Sequence, residues 1–158
     1  MVSSTGGRAG IQAELTALAE SHIAKFDTYT DIINDPAKGH FAKYTLHTDG
    51  SNRVTVAKYH AKGLTLDKIK AYYADLPANA SKLNKNKVTA LGEVDGFPII
   101  HTVTELSWPM SNRSVVAALY KKEEGGVFTI VSSSKGNEAL VTEHAKAIGK
   151  NVVANLII

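Results

Sequence analysis

The chain has 158 residues, 44% hydrophobic and 21% charged, with a formal net charge of +3. Those figures fit one globular domain spanning residues 1–158 and exclude a disordered or fibrous chain. The absence of cysteine excludes disulfides and thiolate metal sites, and a slight charge with 7% aromatic residues argues against a nucleic-acid platform.

The first eight residues contain no apolar signal core, and Val2 breaks the N-myristoylation pattern. No apolar run is long enough to cross a bilayer. The expected address is cytoplasmic. From Ile11 onward the apolar residues recur with helical spacing: Ile11, Leu15, Leu18, Ala19, Ile23 and Phe26 share one face. The pattern predicts a helix that continues toward Tyr29 and Ile32 and stops at Pro36 and Gly39.

The period then changes to two. Ala42, Tyr44 and Leu46 alternate with Lys43, Thr45 and His47, and Arg53 to Tyr59 resumes the alternation after a polar turn. This predicts a β-hairpin. A second helix begins at Thr65, with Asp67 in its first turn and Leu66, Ile69, Tyr73 and Leu76 as its stripe; Pro77 is expected to end it. A lysine-rich stretch follows, with a short helix expected near Ala80 to Leu83.

The remainder reads as strands: Val88 to Glu93, Ile99 to Leu106, Arg113 to Lys121 and Val127 to Ser133. Asp95-Gly96 and Gly125-Gly126 are hairpin turns. A long connection from Ser134 to Gly149 is expected to be helical around Glu138 to Ile148, and Asn151 to Ile158 is expected to be a last strand. Short turns force antiparallel neighbours, so the natural solution is an α+β fold with helices laid on one face of an antiparallel sheet.

One block is more specific. Thr104-Glu105-Leu106 is followed by Ser107-Trp108-Pro109-Met110-Ser111-Asn112-Arg113-Ser114, then by a strand, a glycine turn and a strand ending in serine. This resembles the START (steroidogenic acute regulatory protein-related lipid transfer) domain, a helix-grip family. Asn112-Arg113-Ser114 stands where the family has a short Arg-Asp corner, with Ser114 in place of the usual Asp. Val152-Val153-Ala154-Asn155 stands where the family often has Val-Arg-Ala. The resemblance implies a curved antiparallel sheet gripped by helices, a lipid or other hydrophobic small molecule as ligand, transient contact with a membrane surface, and no cofactor, metal or catalysis. It also implies further strands and a C-terminal helix across the barrel mouth, which this sequence is expected to lack. Some sterol-handling members bury an acid–base pair at positions that fall near Thr102 and Leu119. Neither is charged, so a sterol preference is not implied.

A lipid site needs apolar walls and a few polar groups that fix one end. The candidate inward rows are Ile100, Thr102 and Thr104; Val115, Ala117 and Leu119; and Phe128, Ile130 and Ser132. The small residues leave room, and the hydroxyls offer hydrogen bonds to a head group. The same alternation also serves a filled core, and a one-residue register error would reverse the faces. Trp108 and Arg113 are expected at the structural corner. Trp108 would plug the end of the core, or anchor at a membrane interface. Arg113 would pin the turn through a carboxylate, or contact a lipid phosphate. Lys82, Lys85 and Lys87 belong to a solvated loop, or touch anionic head groups.

Catalytic motifs are weak. None of the six histidines has helical metal-ligand spacing with a carboxylate between. His101 and Glu105 lie four apart on a strand, so they share a face but stand far apart; they are the best acid–base candidates for an enzyme on the same fold. Ser132-Ser133-Ser134-Lys135-Gly136 lacks the P-loop pattern. An interaction domain with a filled core is the third reading.

Overall fold

The computed structural model describes residues 7–146, apart from 49, 51, 84, 85, 108, 109 and 111. The elements are α1 (Arg8–Ala24), a 3-10 turn (Phe26–Thr28), β1 (Thr30–Asp35), β2 (His40–Leu46), β3 (Arg53–Tyr59), α2 (Leu66–Ala74), α3 (Leu76–Leu83), β4 (Asn86–Val94), β5 (Phe97–Thr104), β6 (Arg113–Glu124), β7 (Val127–Ser133) and α4 (Glu138–Lys146). The fold is α+β, with one three-stranded and one four-stranded antiparallel sheet. The final strand expected over residues 151–158 lies outside the described residues. Among the described residues the chain divides into two compact units. One comprises Ala17–Thr65; the other takes the start of α1 and everything from Leu66 onward.

In the first of these units the strand order is β1-β2-β3. The helix expected to continue to Ile32 ends at Ala24 instead. The hydroxyl of Thr28 donates to the Lys25 carbonyl at 2.7 Å, and the Tyr29 N–H donates to the Phe26 carbonyl at 3.2 Å. These bonds close a tight turn, and Thr30, Ile32 and Ile33 are β-branched residues that suit a strand. The expected hairpin is therefore a three-stranded meander, and Pro36 to Gly39 turns β1 into β2 rather than stopping a helix. Phe26 is buried, with the ammonium groups of Lys58 and Lys43 at 4.0 and 5.5 Å from its ring centre. The expected stripe of α1 is only partly interior: Leu15 and Phe26 are buried, whereas Leu18 and Ile23 are exposed.

The second unit carries the order β4-β5-β6-β7. Val94 pairs with Phe97, and Asp95 and Gly96 between them have φ of 53° and 78°. Glu124 pairs with Val127 across Gly125 and Gly126, at 57° and 78°. Both connections have the two positive φ values of a type I′ turn, whose twist matches that of paired strands. The strand limits shift modestly: β5 runs Phe97–Thr104, and β6 reaches Glu124.

Pro77 does not end a helix; it sits in the first turn of α3. Asp75 caps that turn, its carboxylate accepting the Ala78 N–H at 3.3 Å and its carbonyl accepting the Asn79 N–H at 3.0 Å. Proline is tolerated there because the N–H it lacks would have no helical partner.

The four-stranded sheet has helices on both faces, not one. On one face Ile99, Val116, Ala118, Tyr120 and Val131 are each at most 2% exposed, and α4 packs on β6. The start of α1 is tied to the β7–α4 turn. There Arg8 Nη2 donates to the Gly136 carbonyl at 3.1 Å and to Asn137 Oδ1 at 2.7 Å, and Lys135 pairs with Glu14. The other face meets α2 and α3.

Candidate functional site

Alternation along the strands decides what faces α2 and α3. Register pairs Ile100 with Ala117, Thr102 with Val115, and Leu119 with Ser132. These residues, with Thr104 and Ile130, form the floor of a half-open pocket of about 400 Å³. Tyr72 and Tyr73 of α2 and Leu76 and Ala80 of α3 form its roof, and Val88 of β4 completes one side. The structure thus gathers eight of the nine residues in the three candidate rows around one hollow. Phe128 is the exception: paired with Glu123, it shares the face but lies one step beyond the lining, half-buried.

The roof is held by polar ties at one end. The Lys121 ammonium donates to the Tyr73 carbonyl at 2.8 Å, and Lys70 pairs with Glu123. The rings of Tyr72 and Tyr73 meet edge to face, with centres 5.2 Å apart. Burial, reinforced by Tyr72, raises the Tyr73 phenol above its usual value, so it stays a neutral hydroxyl at physiological pH. Among the described residues, no carboxylate, ammonium, guanidinium or imidazole lines the pocket.

His101 lies on the opposite face. Its Nε2 is 2.7 Å from the Ser114 hydroxyl, and its ring centre is 4.8 Å from that of His144 on α4. Burial first, then His144 and Lys87, hold its pKa below the usual histidine value. Glu105 is exposed just beyond the end of β5. His101 and Glu105 therefore do not converge on the pocket. No group of three or more His, Asp or Glu among the described residues is arranged to hold a metal ion, and no helix there is long and apolar enough to cross a membrane.

At the β5–β6 corner Asn112 Oδ1 accepts the Leu106 N–H at 3.2 Å, and Arg113 is exposed but engaged within the fold. Trp108 and Lys85 lie outside the described residues; Lys82 and Lys87 are exposed.

A scan against protein-family models, a search of curated proteins and a search of solved structures each found no match to this chain. The resemblance to START domains therefore stands on the quoted residues alone.

Some of the site was missed by sequence reasoning. Tyr73 and Leu76 were visible as a helical stripe, but nothing marked them as a roof rather than a core. Tyr72 fell off that stripe, and Ala80 and Val88 carried no signal. The contact of His101 with Ser114 follows from register, since Val103 pairs with Ser114 and His101 with Val116.

Proposed function

We propose that this chain binds a lipid or other hydrophobic small molecule in the pocket beneath α2 and α3, in the manner of a helix-grip, START-like domain, and does no chemistry on it. The observation that carries this reading is the hollow itself. It is about 400 Å³, walled by aliphatic and aromatic side chains, with hydroxyls as its polar groups. That matches what a small-molecule site requires. Removing apolar ligand surface from water stabilises the complex by about 25 cal/mol per Å². A scaffold domain would have no need of unfilled space between sheet and helices, since interiors close to high density where nothing must enter. Acid–base chemistry would need ionisable groups in the hollow, and among the described residues the tyrosine hydroxyls are the only titratable ones there.

Native mass spectrometry after gentle purification tests this. The expected result is a monomer-plus-ligand mass, with the ligand released as a hydrophobic compound on denaturation. A bare chain that also takes up no hydrophobic dye would end the proposal.

A further inference from the structure

We infer that the pocket selects an uncharged occupant carrying a hydroxyl or carbonyl at one end, with Thr102 and Thr104 as the residues that receive it. This rests on reading the hollow as a ligand site and adds the class of ligand.

Three observations carry it. First, the lining among the described residues holds no charge. The cations at both ends are committed: Lys121 to the Tyr73 carbonyl and Lys70 to Glu123, while Arg113, opposite Thr104 in register, is exposed at the rim and already engaged within the fold. A carboxylate, phosphate or ammonium drawn inside would lose its water and gain no counter-ion. Second, Thr102 and Thr104 are two residues apart on one face of β5, about 7 Å along the strand. Neither hydroxyl bonds another side chain among the described residues. Each can donate and accept, so together they bracket a neutral polar group. Third, Ser132 sits beside Leu119 while Thr102 sits beside Val115, four residues or about 13 Å apart along β6. Between these polar points Ala117, Leu119 and Ile130 give an apolar floor. A 150 Å³ cavity admits a benzene ring, so this hollow admits roughly two to three rings or a medium-length chain.

The test uses the full chain and the neutral dye N-phenyl-1-naphthylamine, displaced by 1-dodecanol, dodecanoate or dodecylammonium at pH 8. Dodecanol is expected to displace the dye at concentrations about tenfold or more below either ion. With dodecane added as the headless reference, Thr102→Val and Thr104→Val should shrink the advantage of dodecanol over dodecane. Ala80→Trp fills the roof from a half-buried position and should block dye uptake without unfolding the chain, checked by circular dichroism. If dye uptake survives Ala80→Trp, or never occurs in the parent chain, the pocket reading fails and the selectivity with it. If Ala80→Trp blocks uptake but dodecanoate competes as well as dodecanol, only the selectivity is overturned. Loss of that competition in Arg113→Gln would then place the head group at the rim beside Thr104.

Discussion

The imidazole of His101 and the hydroxyl of Ser114 meet at 2.7 Å across β5 and β6, on the face of the sheet that the pocket does not use. His144 of α4 closes over them, and Lys87 adds a positive charge from β4. Burial, His144 and Lys87 all oppose protonation of His101, so the folded chain binds a proton here less readily than the unfolded chain does. Stability from this site is therefore full above the ordinary histidine value of 6.5 and declines as pH falls through it. The urea midpoint should drop between about pH 7.5 and pH 5.5, and His101→Gln should flatten that dependence. An unchanged slope in His101→Gln would show that the other histidines carry the effect.

Tyr120 is 1% exposed, and its hydroxyl has no hydrogen-bond partner among the described residues. Its ring lies 4.9 Å from that of Phe97. A buried, unsatisfied hydroxyl costs about 1–3 kcal/mol in desolvation. Tyr120→Phe keeps the ring contact and removes the orphan group, so it is expected to raise stability by up to about 1 kcal/mol. A loss of more than about 1 kcal/mol in urea unfolding would mean that the hydroxyl has a partner after all.

The Asp75 carboxylate accepts the Ala78 N–H at the start of α3, just before Pro77. Removing such a cap costs about 1 kcal/mol. Asp75→Ala should lower stability by that amount, while Asp75→Asn retains most of it. Because α3 roofs the pocket, Asp75→Ala should also weaken dye binding, whereas Asp75→Asn should not.

The turns were the most legible part of the sequence. Asp95-Gly96 and Gly125-Gly126 announce their geometry because few residues accept two successive positive φ values. The four later strands followed from alternation between those turns. The region from Thr28 to Gly39 is ambiguous in the sequence because Tyr29 and Ile32 fit the helical stripe of α1 by spacing alone. β-branching and pairing with β2 then outweighed that spacing. Pro77 taken by itself signals a helix stop, whereas Asp75 two residues earlier is the signature of a helix start. The three rows on the pocket floor were visible as rows. Which face of the sheet would be hollow was not, since Ile99 and Ile100 differ only in parity and nothing local distinguishes them.

That parity has a measurable consequence. Ile99 is 1% exposed on the filled face, whereas Ile130 is half-buried in the pocket wall. Truncating a fully packed isoleucine removes its transfer energy and leaves a cavity, about 3–4 kcal/mol in all. Ile130 already borders open space, so less contact is lost and no new sealed void is formed; about 1–2 kcal/mol is expected. Binding should respond in the opposite order. Ile130→Ala removes part of the wall and should weaken uptake of N-phenyl-1-naphthylamine, while Ile99→Ala should leave it unchanged in chain that remains folded. Urea unfolding and dye titration on the two variants would read both effects together. Equal stability losses with equal binding losses would mean that the sheet does not have one filled and one open side, and the pocket would lose its physical basis.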